Sequence, residues 1–274
     1  MLEHMLIDGK NCVYRSVFAS RGSQVHPATV LLRFLSSYID RFGPQKVHVF
    51  WEGNRSALWR RSVLPTYKAR EHNHDFDVDA AVKRTQIAAI ELLKWMKCRQ
   101  YCQKHMEADD LIYAFCRAFP KRDIMIVSSD GDFAQIPFFY PSIKLYDPMK
   151  DRFIDPTHDV VEVKSLSGDK SDGIKGYYGV GEIKAKKLLD DVKKFAAFMK
   201  ERGAATYKEN RQLVDLSLCP GLIDNVLYVR WVSSRKVEEV NEKEILSASE
   251  KYKVVGLRGE LHNRLLMPFK SING

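Results

Sequence analysis

Three short apolar runs, set between stretches of helical periodicity, decide what this chain can fold into. Met5–Ile7 ends at Asp8-Gly9, Lys46–Trp51 (KVHVFW) ends at Glu52-Gly53, and Ile124–Val127 (IMIV) ends at Ser128-Ser129-Asp130. Each has the length of a strand and stops at turn-forming residues. Ile143–Tyr146 reads as a fourth. After Pro27, Val30, Leu31, Phe34, Leu35 and Tyr38 recur at helical steps, and Ala80–Lys97 and Ala108–Phe119 are further amphipathic helices. Alternating strands and helices predict an α/β fold with a mostly parallel central sheet flanked by helices. Sites in such sheets form beyond the carboxyl ends of the strands, where Asp8, Glu52 and Asp130 fall.

The chain has 274 residues, enough for one large domain or a core with an appendage. No window approaches the ~18 apolar residues of a membrane span, and MLEHMLIDGK is too short and too soon charged for a secretory signal. Five cysteines form an odd, irregular set, which disfavours a disulfide framework and suits a reducing cytoplasm. Cys98, Cys102 and His105 have no second ligand pair that would make a zinc site, so structural cysteines are expected. The net charge of +9 is spread along the chain and favours a polyanionic partner.

Against that positive balance stands an acidic constellation. Glu107, Asp109 and Asp110 open a helix, where one or two carboxylates would merely complement the helix dipole. Three in four positions repel one another unless cations neutralise them. Asp130 and Asp132 add two more at a strand end, although an Asp-Gly turn alone would also place them. We expect Asp8, Glu52, Glu107, Asp109, Asp110, Asp130 and Asp132 to converge at one sheet edge. Carboxylate oxygens suit Mg²⁺ or Mn²⁺, and two such ions about 4 Å apart serve phosphodiester hydrolysis.

Residues 54–78 lack a clean period and read as a partly helical, mobile excursion carrying Arg55, Arg60, Arg61, Lys68 and Arg70. A solvated charged face is the plain explanation of such a run. Departure from the strand end bearing Glu52 instead sets Lys68 and Arg61 over the scissile phosphate. Downstream, Gly176-Tyr177-Tyr178-Gly179-Val180-Gly181 looks like the hairpin of a helix-hairpin-helix module, with Lys175, Lys184, Lys186 and Lys187 around it to contact a duplex backbone. Asp169 and Asp172 either cap that turn or complete a second metal shell.

In order along the chain, Asp8-Gly9-x-Asn11, Arg61…Pro65-x-Tyr67-Lys68, Glu107-Ala108-Asp109-Asp110, Ser129-Asp130-x-Asp132, Gly168-Asp169-x-x-Asp172 and Gly179-Val180-Gly181 resemble the flap endonuclease family of 5′-nucleases over about residues 1–190. The resemblance implies a PIN-like fold with a helical arch and a helix-three-turn-helix module, and cleavage of DNA near a free or flapped 5′ end. By that likeness Asp8, Glu107, Asp109, Asp130 and Asp132 belong to a first metal group and Asp169 and Asp172 to a second, with Asp110 between them. Lys68 resembles the arch lysine that contacts the scissile phosphate, with Arg61 and Arg70 as further arch cations. Tyr14 takes the place of an aromatic that stacks on the 5′ base, beside Arg15.

Three features depart from the family pattern: Glu52 where Asp is usual, Gly173 after Ser171-Asp172, and the hairpin tyrosines Tyr177 and Tyr178. Cofactors are expected to be two Mg²⁺ ions, replaceable by Mn²⁺, and K⁺ at the hairpin. The partner is DNA with a 5′ flap or free 5′ end, met by a monomer that works with replication proteins in the cytoplasm of a bacterial or phage-infected cell, with no membrane. The division expected is a PIN-like catalytic domain over 1–160, with the arch at about 54–78, and a helical DNA-binding region over 161–274, with the hairpin at about 166–190. The alternatives are a PIN-type ribonuclease and a DNA-binding protein that has lost catalysis.

Overall fold

A computed structural model of the chain describes residues 2–69, 77–254, 257 and 260–273. Its central sheet contains β1 (His4–Asp8), β2 (Lys46–Trp51), β3 (Arg99–Cys102), β4 (Ile124–Val127), β5 (Ile143–Asp147) and β6 (Arg152–Ile154), in the order β3-β2-β1-β4-β5-β6. All neighbours pair in parallel except β5 with β6. The chain lays β2 and β3 to one side of β1, then returns to place β4 on the other. That reversal opens a crevice beyond the ends of β1 and β4.

Side chains alternate across the sheet. Met5, Ile7, Val47, Val49 and Trp51 face one core, while Leu6, Phe50, Ile124 and Ile126 face the other. Burial on both faces explains why these strands read as nearly continuous apolar runs. The first core is covered by α1 (Gly9–Ala19) and α2 (Pro27–Phe42). After α3 (Leu58–Val63), α4 (Val78–Leu93) completes that layer. The second core is covered mainly by α5 (Ala108–Ala118), with α6 (Gln135–Phe139) at its edge.

The second half begins with α7 (Val160–Ser167), a small ladder of β7 (Gly168–Asp169) and β8 (Ile174–Lys175), and α8 (Glu182–Leu189). It continues through α9 (Val192–Arg202), α10 (Ala205–Val214) and α11 (Leu222–Ser234), which lies along α5. Residues past 237, which gave no pattern in the sequence, form α12 (Glu242–Lys251) and α13 (Glu260–Ser271), packed on α4 and α2.

The helix expected over Ala80–Lys97 stops at Leu93, and a turn with Lys97 at φ 51 leads into β3, a strand that the sequence pattern does not mark. The excursion after β2 holds α3, and it also buries Arg60 and Tyr67, so its inner face is packed. Arg70, His72, His74 and Asp75 lie outside the described residues, whereas Asp77 caps α4 through Ala80 N–H at 2.8 Å. Among the described residues no helix is long and apolar enough to cross a membrane.

Candidate active site

The crevice is built by helix starts and strand ends. Asp8 finishes β1 and caps α1, accepting from Asn11 N–H at 3.0 Å and from the Ser128 hydroxyl at 3.0 Å. A Cβ on Gly9 would stand 2.5 Å from the Trp51 ring, so only glycine lets α1 start this close to β2. Past β4, Asp130 caps the 3-10 turn Gly131–Ala134 by accepting from Asp132 N–H at 2.9 Å. Glu107 caps α5, and Asp110 reaches back to Glu107 N–H at 3.1 Å in a capping box. Part of the acidic opening of α5 therefore does the ordinary work of a helix start.

Burial and charge sort these carboxylates. Burial, helped by Asp130 and Glu52, pushes Asp8 up to about 6. Burial and then Asp130 raise Asp109 well above the usual carboxylate range, with Asp8 and Glu107 adding to it. Asp130 and Asp172 are also raised by burial, against the pull of nearby lysines. Burial works the same way on Glu107, but Lys68 and Arg60 outweigh it and hold that carboxyl low. Asp169 is likewise low because Lys164 and Ser171 overcome its burial.

The cations are interleaved with the acids. Lys68 Nζ donates to Glu107 at 2.7 Å and lies 3.9 Å from Asp172, while its backbone N–H donates to the Asp172 carbonyl at 3.0 Å. The excursion is thus clipped to the β7–β8 loop directly over the acids. Tyr67 donates its hydroxyl to Asp172 at 2.9 Å. Lys164, from the last turn of α7, donates to Asp132 and, at 2.5 Å, to Asp169.

One carboxylate oxygen from each of Asp132, Asp169 and Asp172 lies within 4.8 Å of the other two. That span suits oxygen ligands around one hard cation, whose bonds run about 2.0–2.6 Å. The carboxyls of Asp8, Asp109 and Asp130 stay raised, chiefly by burial, despite the lysines nearby. Donor type, spacing and charge all fit divalent metal.

Other expected site residues sit differently. Glu52 points at the same crevice but is held by Lys10, which donates to both its oxygens at 2.7 Å. Asp110 is fully buried and gives both oxygens to Arg60. Tyr14, Arg61 and Lys68 line a cavity of about 720 Å³ over Glu107, Asp130 and Asp172. Arg15 does not: it donates to Tyr38 at 2.9 Å and stacks on Phe34, inside the α1–α2 packing. A second cavity of about 1070 Å³ runs from Asp130 and Lys164 to Gly181 and Lys186.

That cavity reaches the hairpin. A Cβ on Gly176 would stand 2.1 Å from the Ser167 carbonyl carbon, and Gly179 has φ 73, so glycine is required at both. Gly181 opens α8 with free space around it. Lys175, Lys184 and Lys187 are exposed, while Lys186 pairs with Glu182 at 2.6 Å. The two tyrosines divide their labour. Tyr177 donates to the Gly203 carbonyl at 2.6 Å and packs on Phe198, whereas Tyr178 is 91% exposed.

Lys164 and Lys10 carry no signal in the sequence, and Arg60 stands there only as one cation of the run after Glu52. Arg60, 2% exposed, binds Glu107 and Asp110 and donates to the Leu213 carbonyl at 3.1 Å. It stood in the sequence beside Arg61 with nothing to mark which of the two is buried, since α3 is too short to show a period. Lys164 and Lys10 are single lysines in helices, and only the fold brings them to acids far along the chain.

The family described as "5′-3′ exonuclease, N-terminal resolvase-like domain" matches residues 3–165. A 5′-3′ exonuclease of Mycoplasmopsis pulmonis is 26% identical over 203 residues, covering 69% of this chain and 66% of that protein. The flap endonuclease Xni of Colwellia psychrerythraea is 25% identical over 169 residues, covering 53% and 58% respectively. The chain thus spans about two thirds or less of these curated relatives. Among solved structures, the D15 flap endonuclease of bacteriophage T5, in a pseudo-enzyme-product complex with DNA and metal ions, superposes with a TM-score of 0.67 at 18% identity, covering 92% of this chain and 99% of that one.

Proposed function

Because the chain belongs to the 5′-3′ exonuclease family, whose N-terminal resolvase-like domain it carries over residues 3–165, we propose that it is a structure-specific 5′-nuclease. It hydrolyses DNA phosphodiesters near a free or flapped 5′ end, as exonuclease and flap endonuclease, for primer or flap removal in replication or repair. The observation that carries this reading is the meeting of Asp8, Asp109, Asp130, Asp132, Asp169 and Asp172 with Glu107 beneath Lys68.

In this reading Asp8, Glu107, Asp109 and Asp130 hold one divalent ion, and Asp169 and Asp172 a second, with Asp132 standing on the side of the second rather than with the first group as the resemblance implied. Mg²⁺, or Mn²⁺ in its place, supplies an activated water and neutralises charge on the leaving oxygen. Lys68 and Arg61, on the wall of the same cavity, bind the scissile phosphate and steady the charge that grows on it. Tyr14 offers its ring to the terminal base. The glycine-bounded hairpin and Lys175, Lys184, Lys186 and Lys187 grip the duplex backbone without reading sequence. Residues 1–160 then carry most of the chemistry, and 161–274 add Asp169, Asp172 and the duplex grip. K⁺ at the hairpin, action as a monomer and recruitment by replication proteins belong to the same reading.

The test is cleavage of 5′-labelled flap DNA with Mg²⁺, with Mn²⁺ and with a chelator. We expect cleavage only with metal, and its loss in Asp130→Ala and Asp8→Ala while DNA binding survives. Turnover retained by either variant would refute the metal assignment. Preference for single-stranded RNA over flap DNA would refute the substrate.

A further inference from the structure

At the opposite edge of the sheet, where the parallel strands begin, lies an open cavity of about 460 Å³ lined by His4, Lys46, His48, Arg122, Arg230 and Ser233 among others. His4 opens β1 and Asp8 closes it, so the length of that strand, at ~3.3 Å per residue, puts this cavity on the order of 13 Å from the acidic crevice. Nothing in the chemistry proposed above uses it.

Its floor is an unusual polar chain in the core. His4 Nδ1 meets His48 Nε2 at 3.0 Å, His48 Nδ1 meets the Tyr101 hydroxyl at 2.8 Å, and that hydroxyl meets Ser233 Oγ at 3.0 Å. His48 and Tyr101 are fully buried, yet both ends of the chain, His4 and Ser233, open on the same cavity. Burial, then Lys46, Arg122 and Arg99, pushes His4 down to about 4, and burial, then His4, Arg99 and Lys46, holds His48 well below the ordinary imidazole range. Two neutral rings linked in this way can run their hydrogen bonds in either sense. In one sense His4 Nε2, which has no hydrogen-bond partner among the described residues, carries the proton; in the other it is an acceptor.

Charge chooses between them. Arg122 pairs with Glu3 at 3.0 Å. Arg230 donates to the Ala118 carbonyl at 2.8 Å, and Lys46 has no carboxylate partner among the described residues. The lining therefore carries Lys46, Arg122 and Arg230 against Glu3 alone. Two guanidinium forks and an ammonium group around one opening match an anion with several acceptor oxygens.

We propose that this cavity binds a phosphoryl group, with Lys46, Arg122 and Arg230 supplying charge and the His4–His48–Tyr101–Ser233 chain supplying an uncharged N–H at His4 Nε2. With the anion present, His4 Nε2 donates outward, His48 Nε2 donates to His4, Tyr101 donates to His48, and Ser233 donates to Tyr101. Every partner in the chain is satisfied in that sense. A phosphoryl group can arrive on a free nucleotide or within the backbone of a nucleic acid.

Side-chain ¹⁵N NMR of the histidines in the intact chain, with chelator present so that no DNA is cut, tests this. The probes are inorganic phosphate, deoxyadenosine monophosphate and a short DNA duplex. Saturable movement of the His4 resonances toward the Nε2-protonated form is expected, weakened about tenfold in Lys46→Gln and in Arg122→Gln, since each removes one charge-assisted contact. Arg122 is exposed and Lys46 half-buried, so neither substitution opens a hole in the core. Response to the monophosphate or to phosphate identifies a free ligand, and response to the duplex alone identifies a backbone contact. No movement with any probe, or movement that both variants leave unchanged, overturns the proposal.

Discussion

Arg60 and Lys164 show how single cations hold an acidic site together before any metal arrives. Arg60 stands 4.2 Å over the Trp59 ring and splits its guanidinium between Glu107 and Asp110, all within the core. Burial opposes its charge, but Asp110 and Glu107 reverse that and hold it well above the ordinary range. Arg60→Met should therefore leave buried Asp110 without a counter-charge and Glu107 with Lys68 alone, at a cost of about 3–5 kcal/mol, read as a lower midpoint in denaturant; a midpoint equal to that of the parent would show the trio to be dispensable. Lys164 sits between Asp132 and Asp169, only partly exposed, where a divalent ion would also sit. Lys164→Gln should lower the melting temperature of the chelator-treated protein, and added Mg²⁺ should raise it more in the variant than in the parent, because binding to the folded state adds stability by mass action. An equal Mg²⁺ shift in both proteins would mean that lysine and metal do not share the place.

The same contrast between what lies local in the chain and what the fold assembles holds for whole elements. β2 and β4 were legible at their observed bounds because both faces of these strands are buried, which writes an apolar run. β3 was not, since four residues with Arg99 and Gln100 on the sheet edge carry no such run. α12 and α13 escaped because each rests on one helix of the first layer, α4 and α2, and buries only a narrow stripe, here Ile245, Ala248, Leu265, Leu266 and Phe269. Of the site, Asp8, Asp130 and the start of α5 were readable as acids at element ends, whereas the pairing of Glu52 with Lys10 and the inward turn of Arg15 depend on contacts far along the sequence. The α7–α8 hairpin was readable from its glycines, yet its two tyrosines diverge only in the fold. Tyr178→Ala should leave the melting temperature unchanged, since the ring is exposed, and weaken binding of duplex DNA. Gly176→Ala should lower both, because its Cβ would collide with the backbone of Ser167 and Gly168. Loss of stability in Tyr178→Ala, or none in Gly176→Ala, would count against this division.

Across the whole molecule, one sheet separates two polar centres of opposite character: carboxylates past the strand ends, and neutral imidazoles where the strands start. Their effects on stability run in opposite directions with pH. Asp8, pushed up to about 6 by burial and its acidic neighbours, binds its proton more tightly folded than unfolded, so its contribution falls as pH rises between about 4 and 6. His4, pushed down to about 4 by burial and nearby cations, and His48, also held well below the ordinary range, bind protons more tightly when unfolded. Their contribution is complete above about 6.5 and is lost as pH falls from there toward 4, at up to about 1.4 kcal/mol per pH unit for each ring. Comparing the parent with a His4→Gln/His48→Gln variant isolates the imidazole part, because Asp8 is common to both. Urea midpoints taken with chelator between pH 7 and 5 should fall more steeply in the parent, and the two curves should converge toward acid. Parallel curves would mean that the buried rings are already protonated or that the unfolded chain shields them, and either would remove the neutral hydrogen-bonded chain on which the anion cavity depends.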